Sequence, residues 1–333
     1  MKLNLNRKIP KEFQDDFIAH VLINRAKAIV PKIPANPILT IAGSAGTGKT
    51  SNTYALCDAL DCQVYPVQGK DLVAQLEGQG SALLVSALQE ASRDEESLMP
   101  VVLVDDADLG GLGVSENVTG TVNGEAVKGC VMGWADNPNA ITVIDGDNPP
   151  RRIRLKRAPC MVMTTNRLDH MHPPILREGR STVIELDPQG RELQEVIAGI
   201  YPNLGMRLAG NLMRKFPNQP IAFFVSLKGA LAKKIALEHA EKYNGSLHKA
   251  DWEPFAYYLA RVSEGASYQD LVAEGEKIAA HDRGANYIKP RKKLVADPPE
   301  PLIGKEGFAR QGNGVLRLTN PLAPQPHIPA MKD

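Results

Sequence analysis

The sequence predicts an α/β fold: a largely parallel sheet flanked by helices, followed by a smaller helical domain. Three observations predict it. Short apolar runs alternate with helix-patterned segments through the first 190 residues. One run enters the glycine-rich string GSAGTGKT at 43–50, and another ends in acid as VVLVDDAD at 101–108. Beyond Gly190 the strand signals fade and helical ones take over.

Each element follows from its local pattern. Residues 13–30 set Phe13, Phe17, Val21 and Leu22 at helical spacing and stop at the proline-marked PKIPANP loop. The apolar run 38–42 reads as a strand entering a tight turn and a helix. A weaker strand at 64–67 precedes a helix carrying Leu83, Leu84, Ala87 and Leu88. The unbroken run 101–104 has the character of a central strand buried on both faces. A helix over 126–134 and strands at 160–164 and 182–186 complete the first domain. Helices are expected at 193–200, 222–243 and 252–262. After about Lys289 prolines recur and periodicity is lost, which reads as a flexible tail. Its KPRKK run stands either as a contact for an acidic partner or as a solvated charge cluster. The expected division is therefore 1–189, 190–288 and 289–333.

Composition narrows the partners. A chain of 333 residues accommodates one large or two modest domains. Its 39 Lys and Arg nearly cancel its 38 Asp and Glu, so a phosphate backbone is not the default partner. The cysteines, Cys57, Cys62, Cys130 and Cys160, form no CxxC pair and have no histidines at zinc spacing; they read as reduced core or half-buried thiols. With no apolar leader and no long apolar stretch, a cytoplasmic protein with no membrane partner is expected.

The chemistry concentrates in three strand ends. Gly43, Ser44, Ala45, Gly46, Thr47, Gly48, Lys49 and Thr50 fill GxxxxGK[ST] in full, with Ser51 next. Backbone N–H groups of such a loop cradle phosphates, Lys49 reaches the terminal ones, and the Thr50 hydroxyl suits Mg²⁺. ATP with Mg²⁺ is the expected ligand pair. Asp105 would hold the metal shell and Asp106 would act as general base on the attacking water. Asp106 is shorter than glutamate, which is consistent with slow hydrolysis. Asp108 stands equally as a turn cap or a functional acid. In MVMTTNR, Asn166 follows the third strand, and its amide can donate and accept at once, as a γ-phosphate sensor requires.

Beyond it, ILREGR at 175–180 carries Arg177 and Arg180 into the next strand. These arginines read as groups that reach a neighbouring subunit's γ-phosphate, or as a surface pair bonded to Glu178 or Glu185. On chemistry alone the two readings are close.

With these residues in view, the chain resembles the Rubisco activase family of AAA+ P-loop NTPases. The likeness lies in TVNGEAVKGCVMGWADNP at 121–138, ILREGR, KFPNQPIAFFVSLKGAL at 215–231 and EFQDDFIAH before the P-loop. It implies an AAA+ α/β domain, a helical lid, a hexameric ring or spiral of identical subunits, and Arg177 and Arg180 as fingers acting in the next subunit's site. It also places Lys228 where the family has its second sensor, an arginine, so the charge is kept and the planar fork lost. The pore-loop region KDLVAQLEGQGSA keeps only a loose likeness, and DGDNPPRRIRLKR looks like an insertion forming a basic hairpin.

Function follows as an expectation: an ATP hydrolase that remodels a protein client, with Rubisco blocked by an inhibitory sugar phosphate as first candidate. A nucleotide-gated scaffold is the alternative. A DNA-acting protein, drawn from RRIRLKR, is a third, set against a hairpin with one solvated face.

Overall fold

The computed structural model describes residue 5 and residues 7–73, 78–113, 122–143, 150–241 and 252–282. Parts of the pore-loop region and of the 121–138 and 145–157 segments, and the tail from 289, lie outside the described residues.

Helix α1 (Lys11–Ile29) leads into strand β1 (Ile38–Ala42), the glycine-rich loop and helix α2 (Lys49–Ala59). Strand β2 (Val64–Gln68), helix α3 (Gln79–Ala91) and strand β3 (Val101–Asp105) follow. Then come helix α4 (Val122–Asp136), a hairpin of β4 (Ala140–Val143) and β5 (Arg151–Arg154), strand β6 (Cys160–Thr165), the short helix α5 (Pro173–Leu176) and strand β7 (Ser181–Glu185). The five-stranded sheet has the order β2-β3-β6-β1-β7, with every pairing parallel.

Alternation along the strands divides their side chains between two helical layers. Leu39, Ile41, Val101, Leu103, Cys160 and Val162 pack with Phe13, Phe17, Val21 and Leu56 of α1 and α2. Ile38, Val102, Val104, Met161 and Met163 pack with Leu84, Leu88, Val127, Val131 and Trp134 of α3 and α4. Both faces of the central strands are thereby dry, which explains their continuous apolar runs.

Leu22 departs from expectation, being 42% exposed; the inner face of α1 instead buries His20 and Asn24 beside Phe13, Phe17 and Val21. Asn24 is accommodated because its amide donates to the carbonyls of His20 and Asn36, fastening α1 to the loop before β1. The four cysteines are free thiols, three buried and Cys130 half-buried.

After β7 the chain is helical: α6 (Gly190–Ile200), α7 (Gly205–Lys215), α8 (Ile221–Glu241), α9 (Trp252–Glu264) and α10 (Tyr268–Asp282). These helices have their own core of Ile197, Tyr201, Leu212, Phe216, Phe224, Leu227 and Leu271. The Tyr201 hydroxyl donates to the Phe224 carbonyl at 2.6 Å and locks α6 to α8. No described helix is long and apolar enough to cross a membrane.

Candidate active site

Parallel pairing brings the ends of β1, β3 and β6 together, and there the polar residues assemble. The loop after β1 turns with Gly46 and Gly48 at φ of 78° and 88°, a region that a side chain disfavours. A Cβ on Gly46 would also lie 2.9 Å from Ala222 Cβ, because the first turn of α8 rests on this loop. The Ala222 N–H donates to the Gly46 carbonyl at 3.0 Å, so the helical part touches the glycine-rich loop directly.

Lys49 is only 6% exposed, with Nζ donating to the carbonyls of Gly43 (2.8 Å) and Ser44 (3.1 Å) and to Asn166 Oδ1 (2.8 Å). Burial pushes its ammonium below the usual lysine range, while the charges of Asp106, Asp108, Asp105 and Asp187 pull the other way. Thr50 Oγ1 donates to Asp105 Oδ1 at 2.5 Å, and Thr164 Oγ1 donates to the same oxygen at 2.6 Å. With its proton engaged on Asp105, the Thr50 hydroxyl keeps lone pairs for a hard cation, and the donor set of hydroxyl and carboxylate oxygens fits Mg²⁺.

Asn166 sits between Asp106 and Lys49. Its Nδ2 donates to Asp106 Oδ1 at 2.9 Å while its Oδ1 accepts from Lys49. An ammonium can only donate and a carboxylate only accept, so the amide has one possible orientation. The Asn166 backbone N–H donates to Asp108 Oδ1 at 3.2 Å, which gives Asp108 a capping role: it holds the turn after β6.

Asp106 itself has φ 51°, uncommon for a residue with a side chain, and such local strain collects at functional positions. Sequence reasoning missed what clamps it there. A Cβ on Gly69 would sit 2.2 Å from the Asp106 carbonyl oxygen, and one on Gly110 would sit 2.0 Å from the Gly69 carbonyl oxygen. No local signal joins Gly110 to Gly69, 41 positions earlier in the chain.

The arginines lie elsewhere. Arg180 directly precedes β7, whose first residue pairs with Ile38 at the start of β1, whereas the glycine-rich loop leaves β1 after Ala42. Strand rise sets the two ends of β1 about 13 Å apart. Arg180 is buried, and its Nε and one terminal nitrogen form a bidentate pair with Asp136, both at 2.7 Å; the other donates to the Pro174 carbonyl. Its partner is thus neither Glu178 nor Glu185. Hydrogen bonding from Arg180 holds the Asp136 carboxyl below the usual carboxylate range. Arg177, at the C-terminal end of α5, is exposed. Lys228 is half-buried, with Nζ 5.6 Å from the centre of the Tyr201 ring.

A parallel sheet of this order, with a glycine-rich loop, an acidic strand end and a polar asparagine at the C-terminal ends of its central strands, has the α/β AAA+ fold. Residues 39–188 match the model of the ATPase family associated with various cellular activities (AAA). Over most of its length the chain is similar to the ribulose bisphosphate carboxylase/oxygenase activase of Anabaena sp. (strain CA / ATCC 33047): 24% identical over 342 residues, covering 96% of this chain and 78% of that protein. The activase of Nostoc sp. (strain PCC 7120 / SAG 25.82 / UTEX 2576) is 25% identical, covering 67% of this chain and 53% of the relative. The chloroplastic activase of Chlamydomonas reinhardtii is 27% identical, covering 66% and 53%. The chain thus spans about half the length of the latter two. It carries an AAA+ fold and is similar, at low identity, to Rubisco activases.

Proposed function

We propose that the chain hydrolyses ATP as a homo-oligomer, a hexameric ring or spiral, in which Arg177 of one copy completes the nucleotide site of the next. The observation that carries this reading is the exposed Arg177 in the segment that leads into the edge strand β7, which begins beside the start of β1 while the glycine-rich loop leaves the far end of β1. A copy packed against that edge would receive it.

Within the site, Lys49 and the backbone of 43–48 hold the phosphates, and Ser51 follows in the first turn of α2. Thr50 and Asp105 would hold Mg²⁺, which when bound neutralises phosphate charge. Asp106 orients a water and accepts its proton as the new P–O bond forms and the bridging oxygen leaves with ADP. Asn166 fixes the Asp106 carboxylate with one Nδ2 hydrogen and offers the other to a γ-phosphate oxygen, while its Oδ1 continues to accept from Lys49. Arg180, spent on Asp136, positions the segment that presents Arg177. Hydrolysis then alters the interface between copies, and residues 190–288 act as the lid that transmits the change through the contact of α8 with Gly46.

The client is a protein in the same cytoplasmic compartment, and the similarity to activases makes Rubisco holding an inhibitory sugar phosphate the first candidate. The purified chain with ATP, added to inhibited Rubisco from the same organism, is expected to restore carboxylation, and ATP turnover per subunit is expected to rise with protein concentration. No release would remove Rubisco as client; turnover independent of concentration would remove the shared site. Lys228, a lysine over the Tyr201 ring where the related family has an arginine fork, favours a second reading: a slowly hydrolysing, nucleotide-gated scaffold, which predicts no rise in turnover on adding client.

A further inference from the structure

The hairpin of β4 and β5 shapes a cavity of about 920 Å³ that the nucleotide chemistry does not use. Arg25, Arg152, Arg154, Lys156 and Arg157 line it, against a single carboxylate among the described residues, Glu95. Arg152 and Arg154 come from β5 and the others from α1 and from the segments entering β3 and β6, so the cavity lies at the end of the sheet opposite the glycine-rich loop.

The cations are held in place by the fold. Ile153 faces inward, packing on the core that buries Ile141, so strand alternation turns Arg152 and Arg154 outward together on one face. Arg157 donates to the carbonyls of Asp94 (3.2 Å), Ser97 (2.9 Å) and Leu98, which fixes its guanidinium, while its Nε is buried with no acceptor. Burial and then the charge of Arg25 depress the Arg157 guanidinium below the usual arginine range. Glu95 offsets little: it meets Lys156 at 3.8 Å with both side chains more than 70% exposed. A preset cluster of like charges in a concavity favours a multiply charged anion.

We propose that this cavity is a second anion site, separate from the nucleotide, taking a compact organic phosphate with two or more phosphoryl groups. Arg25, Arg152 and Arg154 offer planar forks that stay charged and match phosphate oxygens in pairs, while Arg157, engaged on backbone carbonyls, adds its charge. The volume falls in the range of small-molecule sites, about 300–1,000 Å³. None of the described residues lining it is aromatic, so it lacks the stacking surface that single-stranded nucleic acid uses.

The test is calorimetric titration of fructose bisphosphate and of pyrophosphate into the full chain with its phosphate loop saturated by ADP. One saturable event is expected, with a Kd below about 1 mM. The double variant Arg152→Ala/Arg154→Ala should weaken it at least about tenfold with ADP affinity unchanged. Arg25→Gln, a change on a different element, should weaken it in the same direction. Absence of saturable binding for both probes, or equal affinity in all three proteins, would overturn the proposal. So would binding of an oligonucleotide or of polyglutamate in place of the two phosphates.

Discussion

The two ends of the central sheet differ in how their charges are satisfied. At the C-terminal end of the strands, Lys49, Thr50, Asp105, Asp106, Asp108, Thr164 and Asn166 form one hydrogen-bonded network within a single chain. At the N-terminal end arginine predominates. Arg180 is committed to Asp136, Arg177 is exposed, and the hairpin cavity gathers four more arginines. The first end has what is needed to bind phosphates and move a proton. The second holds positive charge that its own chain leaves largely unneutralised, as expected of surfaces that meet another molecule.

The largest expected effect separates the two arginines. Arg177→Ala should cut ATP turnover about a thousandfold while leaving the unfolding midpoint in place, as for loss of an arginine that stabilises the transition state. Arg180→Ala should instead lower stability by about 1–3 kcal/mol, read by urea unfolding, because it leaves the Pro174 carbonyl and Asp136 without their donors. Equal thermal stability of the two variants would erase the distinction.

Next in size is a pH effect on α1, away from both ends. Burial lowers the pKa of His20 to about 4, so the folded state keeps it neutral. Between pH 6.5 and 4 the unfolded chain binds a proton that the native chain refuses, and stability therefore falls as pH falls through that window. The full loss is on the order of 3 kcal/mol, and a His20→Gln chain should show a correspondingly flatter unfolding profile there. The smallest effect belongs to Asp108→Ala, which frees the Asn166 N–H. A fall in turnover of about threefold to tenfold is expected, with nucleotide affinity nearly unchanged.

What was legible follows the same division. The five strands of the sheet and the network residues at their C-terminal ends could be read from short contiguous motifs, because loop geometry and the acidic strand end are local properties. Long-range pairs could not. Arg180 and Asp136 lie 44 positions apart, in segments that family likeness marked but did not join. The close approach of Gly69 to Asp106 likewise depends on how two turns pack. Helix α7 escaped notice because GMRLAGNLMRK is short, glycine-punctuated and polar, and it is held by packing on α6 rather than by propensity. Leu22 was misassigned because Asn24, polar by type, becomes a buried residue once its amide finds backbone carbonyls.

The shared site is the central claim, and mixing two inactive variants tests it most directly. Lys49→Ala and Arg177→Ala should each lack ATP turnover alone. When the two are mixed in equal amounts, roughly a quarter of the interfaces pair an intact phosphate loop with an intact Arg177. Recovery of about that fraction of wild-type turnover is the expected result; no recovery, in mixtures shown to co-assemble, would contradict it.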